Sequence, residues 1–110
     1  MVLFMTIITI AILNVKEGKM EEAKEALRKL VPKVKESEPG TLEYIPHTFK
    51  YNPNSIIFYE VYEDEDAAKV HTANLPKNMV EFGPLLDRGM VLLTIVNDKL
   101  VSVRNIEKII

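Results

Sequence analysis

Residues 56–71 read IIFYEVYEDEDAAKVH, and the passage from strand to helix inside this stretch decides the fold. Ile56 to Tyr62 is dominated by β-branched and aromatic residues, which predicts a strand. Glu63-Asp64-Glu65-Asp66 follows, just ahead of Ala67-Ala68-Lys69-Val70-His71. Carboxylates favour a helix N-terminus through capping of its free N–H groups and through the helix dipole, so a helix starts here with Asp64 as its cap. The acidic run therefore reads as a helix start before it reads as a metal site. Side chains alternate along a strand. Phe58, Glu60 and Tyr62 share one face, assigned to the helix side, and Ile57, Tyr59 and Val61 share the other.

Toward the N-terminus, Thr41 to Tyr51 predicts a second strand that pairs with the first as an antiparallel hairpin across a turn at Asn52-Pro53-Asn54-Ser55. Pro46 cannot donate to a ladder, so this is an edge strand or is bulged at that point. Met20, Ala23, Leu27, Leu30, Val31 and Val34 form one apolar stripe, which predicts a helix over 20–37. Pro32 should kink it or end it near Val31, and Pro39-Gly40 stops it. Thr6 to Val15 reads TIITIAILNV, a strand covered on both faces. Toward the C-terminus the second helix is expected to end near Asn74. Pro76 suits the first turn of a further helix over Lys77–Leu86, closed by Gly89. Val91–Val96 predicts a fourth strand, Asn97-Asp98-Lys99 a turn, and Leu100–Val103 a short return strand. The apolar tail 104–110 is expected to dock.

The order strand, helix, strand, strand, helix, strand is the split βαβ of the ferredoxin-like α+β fold, with an antiparallel sheet and helices on one face. A chain of 110 residues suits one domain, 1–110. The uncovered sheet face, expected to carry Thr9, Ala11 and Leu13 beside Ile57, Tyr59 and Val61, needs a cover. A second copy of the sheet supplies it, which predicts a homodimer. The exposed strand edge and the tail leave room for higher oligomers.

Lys and Arg total 14 and Asp and Glu 16, a net charge of −2 with no basic stripe, which sets nucleic-acid binding aside. There is no cysteine, so disulfides, thiolate metal sites and cysteine nucleophiles are excluded, and a cytoplasmic setting fits. Met1 to Leu13 is apolar but lacks a basic n-region and a cleavage site. It is also too short to span a bilayer, so no membrane association is expected.

Few residues can carry chemistry. Glu60 lies in an apolar layer, where burial raises a carboxyl pKa unless a partner holds the charge. It is either a general base for a phenolic proton or a buried acid satisfied by His71, Tyr44 or backbone amides. His71, one turn past Ala67, is a general base, a substrate hydrogen-bond partner or a structural residue. Tyr44, Tyr59 and Tyr62 suit a flat phenolic ligand and equally a core or an interface. Asn74 is read as positioning oxygen or substrate, or as a helix-end residue. His47 stands on a different element from His71, so no metal site is expected. No phosphate loop, serine-nucleophile motif or paired-carboxylate signature is present.

Glu38-Pro39-Gly40-Thr41-Leu42-Glu43-Tyr44 resembles the E-P-G-x-L-x-Y segment of the antibiotic biosynthesis monooxygenase superfamily. Phe58 to Tyr62, with Ala67 and His71, is similar to its F-x-x-E-x-W, A and H run, and Ile10 to Lys19 to its first strand and V-K-x-G-K turn. The likeness covers roughly residues 6 to 95. It implies a dimeric α+β barrel with a pocket between each sheet and its helices. Characterised relatives oxidise phenolic or quinol-type substrates with molecular oxygen, without metal or flavin, and others in the superfamily degrade haem. The family tryptophan is Tyr62 here, a further histidine falls on Pro76, and Ile10–Leu13 lacks the asparagine of the haem-degrading branch.

The reading that results is a cofactor-independent monooxygenase acting on a small aromatic substrate. His71, Glu60 and Tyr62 are its candidate catalytic residues, and Tyr44, Phe58 and Asn74 its candidate substrate contacts. The alternative is a non-catalytic ligand-binding or assembly domain on the same scaffold. A solvent-open cleft at His71, Tyr62 and Glu60 favours the first, and a filled core there favours the second.

Overall fold

The computed structural model of the protein describes residues 6–96 and 99–102. Its elements are β1 (Ile7–Asn14), α1 (Met20–Ser37), β2 (Thr41–Phe49), β3 (Asn52–Tyr62), α2 (Glu65–Asn78), a 3₁₀ turn at Gly83–Leu85, β4 (Val91–Val96) and β5 (Lys99–Ser102). The sheet order is β2-β3-β1-β4-β5, and every neighbouring pair is antiparallel. This is the expected ferredoxin-like α+β arrangement, with β1 and β3 central and β5 added beyond β4. The tail 104–110 and the turn residues Asn97 and Asp98 lie outside the described residues. No described helix is long and apolar enough to cross a membrane.

One sheet face and the two helices enclose the core. Ala11, Leu13, Ile56, Phe58 and Tyr44 of the sheet meet Ala23, Ala26, Leu27, Leu30 and Val34 of α1, with Phe82 closing the layer. The register corrects one expectation. Ala11 stands opposite Phe58 and Thr9 opposite Glu60, so Thr9, Ala11 and Leu13 face the helices. The other face carries Ile8, Ile10 and Ile12, opposite Val61, Tyr59 and Ile57. β1 is apolar at almost every position, so its own pattern has no phase. Pairing with β3 sets which half points inward.

Local breakers yield at the hairpin turn and inside both helices, while Pro46 keeps to the edge strand. The hairpin turns at Lys50-Tyr51 instead of at Asn52–Ser55, because Ser55 pairs with Asn14 and the Val15 N–H donates to the Asn54 carbonyl at 2.7 Å. Pro46 sits in register opposite Phe58 on the edge strand, and the irregularities fall at Thr41/Glu43 and Thr48/Phe49. α1 runs through Pro32 to Ser37, since Leu30 and Val34 are buried on either side and hold the helix to the sheet. α2 likewise runs through Pro76 to Asn78, past the expected end at Asn74. The further helix expected over Lys77–Leu86 reduces to the 3₁₀ turn.

Candidate functional site

The α1–β2 connection delivers the first member of a buried polar cluster. Glu38 follows the last turn of α1, its N–H bonded to the Val34 carbonyl at 2.9 Å. Pro39 and Gly40 then form the centre of a tight turn in which the Thr41 N–H returns to the Glu38 carbonyl at 3.0 Å. Gly40 is required by proximity. A Cβ at this position would stand 2.6 Å from the Ala67 Cβ. The Glu63 N–H also donates to the Gly40 carbonyl at 2.8 Å, so the turn is clamped against the start of α2. Asp64 caps α2 as expected, its side chain accepting from the Ala67 N–H at 2.8 Å.

α2 brings in the second member. It is a polar helix, and His71 is its one fully buried residue. Tyr44 and Tyr62 flank the imidazole, with ring centroids at 5.1 and 5.3 Å. The third member, Glu60, comes from β3 on the helix-facing side, beside Tyr62 and Phe58 as the alternation predicts. Glu38, Glu60 and His71 are 1%, 7% and 6% exposed, so the cluster is sealed from water.

Hydrogen bonds fix the protons. The Glu38 carboxylate accepts from Thr41 Oγ1 at 3.0 Å, from Asn74 Nδ2 at 3.2 Å and from Asn78 Nδ2 at 3.4 Å. His71 Nδ1 lies 2.8 Å from Glu38 Oε1. An oxygen acceptor at that distance places a proton on Nδ1, so Nε2 is the ring nitrogen free to gain or lose one. Nε2 faces Glu60 Oε1 at 3.6 Å, too long for a direct hydrogen bond but close enough for strong electrostatic coupling. Glu60 Oε1 accepts from the Tyr62 hydroxyl.

Burial raises the Glu60 carboxyl above its ordinary 4.5. The Tyr62 hydrogen bond and the His71 charge oppose that rise, and Glu38 adds to it. Burial likewise raises the Tyr44 and Tyr62 phenols, and the Glu60 charge reinforces both shifts. Both phenols are thus held neutral, and that of Tyr62 donates to Glu60.

The structure brings together His71, Glu60, Tyr62, Tyr44 and Asn74. Phe58 packs behind Tyr44 with ring centroids at 5.2 Å, one layer from the imidazole. Asn74 is interior to α2 and is committed to Glu38. Tyr59 is on the opposite face, and His47 is exposed on β2, its Nδ1 3.3 Å from the Ile57 carbonyl. Glu38, Thr41 and Asn78 belong to the cluster but do not stand out by residue type or periodicity. The signal that could have found Glu38 is its place directly before Pro39-Gly40, where a chain reversal returns a helix end toward the sheet. Among the described residues no group of three or more His, Asp or Glu could hold a metal ion.

The antibiotic biosynthesis monooxygenase family model matches residues 6–75. The chain belongs to this family. A comparison with curated proteins returned no match. Among solved structures, a candidate antibiotic biosynthesis monooxygenase from Caulobacter crescentus is 25% identical with a TM-score of 0.74, over 93% of this chain and 92% of that one. One from Nitrosomonas europaea is 19% identical with a TM-score of 0.71, over 94% and 95%. A candidate monooxygenase from Lactobacillus acidophilus is 23% identical with a TM-score of 0.73, over 88% of this chain but 47% of that one. Within the matched range the Glu38-Pro39-Gly40 segment has a physical meaning in this chain: Glu38 holds the imidazole, and Gly40 lets the turn approach α2.

Proposed function

We propose that this member of the antibiotic biosynthesis monooxygenase family is a cofactor-independent monooxygenase for a small phenolic or quinol-type substrate, working as a cytoplasmic homodimer. The observation that carries the reading is the buried Glu38–His71 pair, which fixes the proton on Nδ1 and leaves Nε2 as a base in a dry site. A carboxylate behind an imidazole orients it and stabilises the cation it becomes. In this reading the substrate's phenolic proton passes to Nε2, with Tyr62 or Tyr44 moving aside on binding. Electrons of the resulting carbanion reduce O₂, and a C–O bond forms as a peroxide that takes the proton back. Loss of water breaks the O–O bond and leaves a carbonyl, so one ring C–H, one phenolic O–H and one O₂ become two C=O groups and one H₂O. The protein supplies orientation and charge stabilisation.

Two observations support the dimer. Ile8, Ile10, Ile12, Ile57, Tyr59 and Leu93 form an apolar sheet face with no described helix over it, and dimers are typical of the family. A second reading, a non-catalytic binding or assembly domain, is favoured by one feature. Every described buried side-chain N or O has a hydrogen-bond partner, and rings fill the space around His71.

Oxygen uptake by the purified protein with a panel of hydroquinones and anthrone-type phenols separates the two. The monooxygenase reading expects uptake above the buffer rate that falls about a hundredfold in His71→Ala, the usual range for loss of a general base. No uptake with any compound leaves the binding or assembly reading.

A further inference from the structure

Away from the His71 cluster, a solvent-open cleft of about 490 Å³ lies between α1 and the edge strand β2. Its floor is Leu27 and Ile56, both core residues, and its walls include Val31 and Pro46. Lys24 and Arg28, one helical turn apart on α1, stand on its rim, with His47 across on β2. Among the described residues no Asp or Glu lines it, in a chain whose net charge is −2. The volume falls in the range of small-molecule pockets, and an apolar body with a few placed polar groups is their usual form.

From this geometry we infer a second ligand site, specific for a small hydrophobic monocarboxylate, whose apolar body fills the space between Leu27 and Pro46 and whose carboxylate meets Lys24 and Arg28. The present partners of these cations are weak competitors. Lys24–Glu21 and Arg28–Glu25 are i,i+3 pairs on the helix surface, with the glutamates 84% and 65% exposed. Such pairs contribute little, so a carboxylate presented by a bound apolar body displaces them. The site is distinct from the polar cluster. Pro46 and Ile56 each lie two residues along their strands from Tyr44 and Phe58, and neither His71 nor any of its cluster partners lines the cleft.

Calorimetric titration with 2-naphthoate and octanoate, beside the neutral 2-naphthamide and octanamide, tests the inference, with ¹⁵N-resolved amide shifts to locate the site. The expected result is that one carboxylate binds more tightly than about 1 mM and shifts the amides of Leu27, Val31 and Ile56. It should also be preferred over its amide by at least about fivefold. Lys24→Gln/Arg28→Gln, at exposed positions, should erase that preference and leave the fold intact. The amides of His71 and Asn74 should not shift with the ligand, which keeps this test independent of the oxygenase reading. Absence of binding by both acids, a preference that survives the double substitution, or shifts confined to other residues would overturn the inference.

Discussion

Glu38 Oε1 and His71 Nδ1 meet at 2.8 Å across 33 positions of sequence, joining the end of α1 to the middle of α2. The contact orients the imidazole and also attaches a polar helix to the sheet, because His71 is the one fully buried residue α2 contributes.

Glu38→Gln tests both roles. The glutamine amide would meet donors from His71, Thr41, Asn74 and Asn78, and at least one would lose its acceptor. Leaving a buried donor without its acceptor costs about 1–3 kcal/mol. Urea unfolding should show a loss in that range. Oxygen uptake, where present, should fall with Glu38→Gln as it does with His71→Ala.

Glu60 should make stability fall as pH rises. Its folded carboxyl titrates above the ordinary 4.5, so between those two values the folded state holds a proton that the unfolded state has released. Stability is therefore greatest near and below 4.5 as far as this group is concerned, and it declines as pH climbs through the raised value. Tyr62, His71, Glu38 and Tyr44 all face this carboxyl, and the first two temper the effect. Glu60→Gln keeps an acceptor for the Tyr62 hydroxyl and removes the titration. Urea midpoints from pH 4 to pH 8 should decline less in the variant than in the wild type. An equal slope in both would contradict the raised carboxyl.

Much of this site was legible because β3 is short-range information. Alternation alone puts Phe58, Glu60 and Tyr62 on one face, and the acidic run with Asp64 announces the helix that carries His71. Glu38 stands in the quoted E-P-G segment, but its role was not legible, because its partners His71, Asn74 and Asn78 are 33 to 40 residues away and only the Pro39-Gly40 reversal marks it locally. The phase of β1 was hidden for a different reason. A strand apolar on both sides fits either register, and only pairing of Ala11 with Phe58 decides. Pro76 misled, because α2 continues through it to Asn78 instead of ending near Asn74. The Asn52–Ser55 turn signal lost to the backbone partners that β1 offers.

Gly40→Ala should destabilise the fold through one contact. The new methyl would stand 2.6 Å from the Ala67 Cβ, which is a rigid neighbour, so the α1–β2 turn or α2 must shift. Overpacking of this kind costs about 1–3 kcal/mol. Ala67→Gly makes room but places a glycine in the first turns of α2, at up to about 1 kcal/mol. In a double-mutant cycle the pair should be less damaging than the sum of the single changes. Additive losses in thermal unfolding would show that the contact is not the cause.

The proposed dimer makes the sheet's helix-free face a test of assembly. Ile10 is opposite both Tyr59 on β3 and Leu93 on β4, which puts it at the centre of that face. Ile10 is half-buried in the isolated chain, and its side chain points away from the helix-side core, so a charge there leaves Ala11 and Leu13 in place. Ile10→Glu would place a carboxylate inside the sheet-to-sheet interface on both copies, related by the dimer symmetry, with no partner for either. Sedimentation velocity should show a dimer for the wild type and a folded monomer for the variant, with the same circular dichroism. Retention of the dimer by Ile10→Glu would move the interface to another surface, and a monomeric wild type would remove the homodimer from the proposed function while leaving the His71 cluster to be tested by oxygen uptake alone.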